Sequence, residues 1–246
     1  AATYLRGVPF IQLPTTLLSQ VDSSTGGKVA VDHGQIKNRI GAFYQPRLVL
    51  SDISTFKTLP QREFSSGLAE LIKAAVINDR ELFALLEKNI AKITGLDEEM
   101  LSEVVARAIR IKADYVEKDE RDTGLRNVLN LGHTIGHAVE SISDFKIKHG
   151  EAVAIGMIAA GKISCKMGLF PAEELSRMRN LLVQAGLPVT MPAMDKEKLL
   201  QVMGQDKKVR AGKLRFILPR TIGDVFITDE VNPSLIDEVL VENGKT

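Results

Sequence analysis

Tryptophan is absent, cysteine occurs once and tyrosine three times, and the 246 residues carry almost no charge bias: 32 basic against 31 acidic side chains leave +1. Each shortage removes a class of function. A chain with neither a basic field nor aromatics interleaved with lysine and arginine lacks the footprint of a nucleic-acid binder, so no nucleic-acid partner is expected. A lone Cys165 cannot form an intramolecular disulfide, which fits a reducing compartment, and the cytoplasm is the expected location. The longest apolar run, residues 152–161, is closed by Lys162. That is well short of the ~20 residues a bilayer-spanning helix needs, so no membrane association is expected. The opening Ala1-Ala2-Thr3-Tyr4 has neither Met nor a charged-then-apolar leader, and is expected to follow a segment that has been removed.

What is present is an ordinary globular composition, 44% hydrophobic and 26% charged, long enough for one large domain or two smaller ones. Residues 8–13, 28–31 and 47–50 are short apolar or β-branched runs separated by Gly, Ser, Thr and Asn, the pattern of buried strands in an α/β unit. After Pro60 the period becomes helical: Leu68, Leu71, Ile72, Ala75 and Val76, then Leu82, Leu85, Leu86 and Ile93. The expected division is therefore an α/β segment over 1–58 and a mainly α-helical domain over 59–246. Asp97, followed by Glu98 and Glu99, starts a helix expected to reach about Glu117. Further helices are predicted over 133–143, 151–167, 172–185 and 196–203, with Gly168 and Gly186 as stops. Residues 208–210 and 214–218 flank Ala211-Gly212 and read as a hairpin.

Histidine distribution is the sharpest chemical feature. His133, His137 and His149, three of the four, fall within 17 residues. His133 and His137 are spaced to share a helix face, where two imidazoles can meet one metal ion, or can be core and capping residues. Without a cysteine pair, a metal site here would be of mixed N/O type. Glu70 interrupts an otherwise apolar helix and needs a partner, either a metal or Lys73 three residues on. The segment 22–28 lacks the first glycine and the Ser or Thr of a Walker loop. Gly26 and Gly27 nevertheless permit close backbone approach, and Lys28, Lys37 and Asn38 offer donors to an anion or a nucleotide; a solvated turn is the plainer alternative. Lys112 lies on the apolar stripe of its helix with Val105, Ala108 and Val116, where an ammonium must reach solvent or an anion. Arg126 precedes Asn130 and His133 by four and seven residues, so a helix that started early would point all three one way.

These residues lie in motifs that resemble 3-dehydroquinate synthase. They are residues 14–28, Gly67-Leu-Ala-Glu-Leu-Ile-Lys73, Arg126-Asn-Val-Leu-Asn-Leu-Gly-His-Thr-Ile-Gly-His137 and His149-Gly-Glu-Ala-Val153, in that order along nearly the whole chain. The resemblance implies a lyase of aromatic amino acid and chorismate biosynthesis, the shikimate pathway. Such an enzyme depends on NAD and on zinc, with cobalt as a substitute, and is usually a homodimer. Its substrate is a phosphorylated sugar acid, 3-deoxy-D-arabino-heptulosonate 7-phosphate, converted to 3-dehydroquinate and phosphate by transient oxidation, phosphate elimination, re-reduction and aldol closure. The implied fold is an α/β nucleotide-binding domain followed by a mainly helical metal-binding domain. Carried over position by position, the metal ligands fall on Glu70, His133 and His149, which moves His137 to the substrate side. Catalytic positions fall on His137, Lys28, Lys73, Lys112 and Asn130. Substrate contacts fall on Asp22, Asn38, Arg126, Lys207 and Arg6, the last reaching across the dimer. Nucleotide contacts fall on Thr15, Thr16, Leu18, Lys28, Lys37, Thr55, Thr58, Leu59 and Glu63. Asp122 stands where the family commonly has Glu.

In the family a glycine-rich turn precedes the segment that opens this chain, and the sequence does not contain it. The expectation is a chain with the full metal set, most substrate ligands and half of an NAD site. Calorimetric NAD binding as tight as in a longer chain would contradict this. Alternatives are another sugar-phosphate cyclase, a metal-dependent polyol dehydrogenase, or a catalytically incomplete module that binds only metal and anions.

Overall fold

The change of period near residue 60 is a change of architecture. The computed structural model describes residues 1–34, 36–144, 146–205 and 214–243, without the side chains at 36, 37 and 205. Within them, eight α-helices follow Pro60: α1 Gln61–Asn78, α2 Arg80–Thr94, α3 Glu98–Lys118, α4 His133–Ile142, α5 His149–Lys166, α6 Ala172–Gln184, α7 Lys196–Gln205 and α8 Pro233–Asn243. The starts follow from side-chain chemistry. Asp79 accepts the Leu82 amide at 2.8 Å to open α2, and Asp97 accepts the Met100 amide at 2.9 Å to open α3. Gly168 and Gly186 follow α5 and α6 with φ of +73° and +75°, the left-handed stops read from the sequence.

Helix α5 is the axis of the helical domain. The apolar run 152–161 is too short for a membrane and buried on every face, packed by α1, α4, α6 and α8. Among the described residues, no helix is long and apolar enough to cross a membrane. Helix α1 is buried from Phe64 to Ile77, so Glu70 and Lys73 are carried into the interior.

The first 58 residues hold strands β1 Ile11–Gln12, β2 Lys28–His33, β3 Ile36–Phe43 and β4 Leu48–Val49. β1 pairs with β4 in parallel and β2 with β3 antiparallel. The expectation of buried strands is corrected here: Ile11 is 59% exposed and Val31 62%. Each strand has one hydrogen-bonded neighbour, and among the described residues no layer covers their outer faces. β3 went unseen because its sequence, IKNRIGAF, shows no alternation.

The expected hairpin over 208–218 falls largely outside the described residues, which omit 206–213; among those described, β5 Phe216–Thr221 pairs with β6 Asp224–Thr228 around Ile222-Gly223. The Gly223 amide reaches the Val76 carbonyl at 2.9 Å, tying this hairpin to α1. Helix α8 was not anticipated, although Asn232, which accepts the Ser234 amide at 3.0 Å, and Pro233 form an ordinary helix start.

Candidate metal centre and anion cleft

Three elements deliver the site. Gly150, the second residue of α5, lies against Ser66 of α1, and its amide donates to Ser66 Oγ at 3.0 Å. A Cβ at Gly150 would fall 1.9 Å from the Ser66 carbonyl oxygen, so the absent side chain sets how closely the helices meet. One turn on from Ser66 is Glu70, and beside Gly150 is His149. The third element, α4, is aimed by Gly132 (φ +79°), which ends the 3₁₀ turn Leu125–Asn130 so that α4 begins on His133.

The result is a cluster of Glu70, His133 and His149 whose potential ligand atoms lie within 4.8 Å of one another. Glu70 Oε1 is 3.4 Å from His149 Nε2 and 3.7 Å from His133 Nε2. It is buried and makes no hydrogen bond among the described residues. His133 Nδ1 lies 3.1 Å from the Leu131 carbonyl, which can only accept. The ring proton therefore belongs on Nδ1, and Nε2 turns a lone pair toward the orphaned carboxylate oxygen. Burial, with the Lys73 ammonium, pushes the His133 pKa well down, so the ring is neutral. Two acceptors facing one another across a buried gap call for a cation between them, and the donor set suits zinc or cobalt.

Burial alone would raise the Glu70 pKa, but Lys73, His149 and His133 hold it well below the usual carboxylate range. Lys73 pairs with Glu70, so the ion-pair and metal readings of this residue hold together. Burial lowers the His149 pKa, yet the carboxylates of Glu140 and Glu70, facing its two ring nitrogens, outweigh it and push the ring up to about 9. The His137 ring is 5.0 Å from His133 and 6.1 Å from His149 by centroids, exposed beside the cluster.

A cleft of about 730 Å³ is lined by Asp22, Lys28, Asn38, Arg39, Lys112 and Arg126 among others. Lys112 is buried and pairs with Asp22 Oδ1 at 2.5 Å, so it faces an anion rather than solvent. Burial pulls its pKa down, against the pull of Asp22. Lys28 pairs with Asp122. Arg126 is 4% exposed, and among the described residues its Nη1 meets the carbonyls of Gly26 (3.0 Å) and Glu120 (3.1 Å). The structure corrects the notion that Arg126, Asn130 and His133 share one helix, since Gly132 breaks the path and Arg126 lies in the 3₁₀ turn. Half-buried Asn130 closes that turn ahead of His133.

Asp119 moulds the loop that delivers Arg126 and Asp122. Its carboxylate accepts the amides of Thr123 (2.8 Å), Gly124 (2.9 Å) and Arg126 (3.0 Å), which hold its pKa far below the usual range. A depressed folded-state pKa contributes stability above the unfolded value of about 4 and loses it as pH falls further. Asp119→Ala should therefore melt lower than the wild type at pH 7, with the gap closing in acid. Calorimetry showing the same gap at pH 7 and pH 2 would contradict this.

Two of the segments that carry nucleotide-side candidates are linked by Gln20, a residue without a site signal in the sequence. Fully buried, its Nε2 donates to the carbonyls of Pro14 (3.1 Å) and Asp52 (3.0 Å) and to Thr55 Oγ1 (3.4 Å). It thus joins the segment carrying Thr15, Thr16 and Leu18 to the one carrying Thr55, Thr58, Leu59 and Glu63. Thr16 is also occupied locally, 2.8 Å from Ser19 Oγ. Arg6 is exposed in the N-terminal turn and does not line the cleft. The Lys37 side chain and Lys207 lie outside the described residues. The signal that could have found Glu140, which faces His149, is its seven-residue spacing from His133.

A 2-epi-5-epi-valiolone synthase from Streptomyces hygroscopicus subsp. jinggangensis 5008, solved with NAD+ and Zn2+ bound, superposes with a TM-score of 0.91 at 30% identity, over 98% of this chain and 68% of that one. A 2-deoxy-scyllo-inosose synthase complexed with carbaglucose-6-phosphate, NAD+ and Co2+ gives 0.88 at 28% identity, over 99% and 69%. The fold is that of the sugar-phosphate cyclase class. Residues 1–66 match the 3-dehydroquinate synthase N-terminal family and residues 67–209 its C-terminal family. The 3-dehydroquinate synthase of Microcystis aeruginosa (strain NIES-843 / IAM M-2473) is 51% identical over all of this chain and 68% of its own length. That of Rippkaea orientalis (strain PCC 8801 / RF-1) is 49% identical over 98% and 67%. The chain belongs to the 3-dehydroquinate synthase family.

Proposed function

We propose that this chain performs the 3-dehydroquinate synthase reaction, turning 3-deoxy-D-arabino-heptulosonate 7-phosphate into 3-dehydroquinate and phosphate as a phosphorus-oxygen lyase. The observation that carries the reading is the orphaned Glu70 oxygen facing two imidazoles beside a cleft lined with cations. Glu70, His133 and His149 would hold the metal, which supplies Lewis acidity toward substrate hydroxyl and ketone oxygens. The segments that Gln20 joins would hold NAD in part, and NAD would supply reversible hydride transfer.

The remaining work falls to side chains. Substrate phosphate and carboxylate bring about three negative charges into the site, and Lys28, Lys73, Lys112 and Arg126 balance them. The unmatched guanidinium of Arg126 suits a carboxylate, with Lys207 as a further cation. Asp22 keeps Lys112 aimed until substrate takes its place, Asn38 and Asn130 donate to hydroxyls, and His137 holds a proton at the substrate. We also propose a cytoplasmic homodimer, in which an exposed Arg6 serves the cleft of the second protomer. The domain boundary is proposed at residues 58 and 59, where the 3₁₀ turn Ile53–Thr58 gives way to α1.

Higher identity to the synthases than to the other cyclases favours this substrate over sedoheptulose 7-phosphate or glucose 6-phosphate. The test is phosphate release from 3-deoxy-D-arabino-heptulosonate 7-phosphate with zinc, with and without NAD. Release that needs NAD but accumulates no NADH supports the reading. Net NADH would point to a polyol dehydrogenase, and no release to a module that only binds. Lys112→Ala should leave zinc content intact and lower kcat/KM roughly 10- to 150-fold, the loss of one hydrogen bond to a charged group. Loss of metal in that variant would make Lys112 structural instead.

A further inference from the structure

His133 and His149 are held by different partners. The Nδ1 of His133 sits 3.1 Å from a backbone carbonyl and its side chain is 8% exposed, so helix and burial fix the ring. His149 opens α5, where fewer neighbours confine it, and its side chain is 29% exposed. Its Nδ1 lies 3.3 Å from Glu140 Oε2, and the Glu140 side chain is 16% exposed. Glu140 is seven residues beyond His133, two turns along α4 on the same face. One helix thus presents both a ligand and a carboxylate directed at the other ligand.

We propose that Glu140 is a positioning residue for the metal centre: its carboxylate takes the Nδ1–H of His149 and so fixes the tautomer and aim of the ring that ligates through Nε2. The assignment rests on the metal reading of Glu70, His133 and His149. Its physical content is that a carboxylate, unlike the carbonyl serving His133, adds negative charge behind the ring. That makes the imidazole a stronger donor to a divalent ion and excludes the tautomer with its proton on Nε2. A neutral amide at this position could turn its NH₂ toward Nδ1 and favour the wrong tautomer.

The test uses the full chain, wild type and Glu140→Gln, with zinc affinity read by competition against a chromophoric chelator and the ligand field read from the Co2+-loaded protein. Zinc affinity should fall about 10- to 100-fold, the range for loss of such a partner. The cobalt bands should move. A variant that melts lower yet binds zinc with wild-type affinity and gives a superposable cobalt spectrum overturns the proposal, because Glu140 would then only brace α4 against α5. Should the variant fail to fold, long-range proton–nitrogen correlation on zinc-loaded wild type decides. A protected Nδ1–H on His149 supports the proposal, and metal on Nδ1 or a freely exchanging proton there overturns it. A wild-type chain that takes up no zinc at all would sink the metal reading and this one with it.

Discussion

His133→Ala should purify folded but without zinc, its metal-to-protein ratio falling from near one to near zero and its turnover by at least ~10³-fold. A Lewis acid supplies several kcal/mol of stabilisation to developing charge, and each 1.36 kcal/mol is about tenfold in rate. The fold should survive because His133 is neutral, and the partner of its ring Nδ1 is a carbonyl two residues away. Glu70→Ala should lose the same metal and more. Lys73, 5% exposed, would be left without its carboxylate, and breaking a buried pair from one side costs about 3–5 kcal/mol. Two variants equal in metal loss should therefore separate in thermal midpoint. Metal analysis and calorimetry check both, and a His133→Ala protein that keeps a full complement of zinc would remove that ring from the ligand set.

The same comparison shows how far residue types and spacing could go. Glu70 was conspicuous because a carboxylate on an apolar helix face has to be neutralised, and the sequence offered both a lysine three residues on and a histidine cluster elsewhere. Both are in place, which spacing alone could not reveal. His133 and His137 share a helix face as their spacing requires, but the second imidazole of the cluster comes from α5, through a helix crossing set by Gly150 and Ser66. Periodicity describes one element at a time, so only the resemblance to a known family moved the ligand from His137 to His149. The early helix start that would align Arg126 with Asn130 and His133 does not occur, because Gly132, at φ +79°, interrupts the path to His133. Strands β1, β2 and β4 were legible but their exposure was not, since apolar content says that a face can be buried and not what covers it. Gln20 gave no signal at all: a neutral amide in a loop becomes informative only when its carbonyl partners, distant in sequence, are seen around it.

The contact that sets the geometry should be the most sensitive position outside the ligands. Gly150→Ala adds one methyl group with no electrostatic consequence, yet its Cβ would lie 1.9 Å from Ser66 O and 2.6 Å from Ser66 C. Both are backbone atoms of a buried helix, so no side chain can swing away and α1 and α5 must separate. Overpacking a rigid core costs about 1–3 kcal/mol, occasionally more, and this site belongs at the upper end. The displacement acts on the residue next to His149 and one turn from Glu70, and ligand geometry tolerates only tenths of an ångström. Zinc affinity should fall at least ~100-fold and the melting midpoint should drop, with the loss of metal persisting at temperatures where the variant is fully folded. Gly204→Ala is the control: nothing lies within 4 Å of its added Cβ, and α7 should be unaffected or slightly more stable. If Gly150→Ala instead binds zinc as the wild type does, the crossing of α1 and α5 does not set the distance between Glu70 and His149.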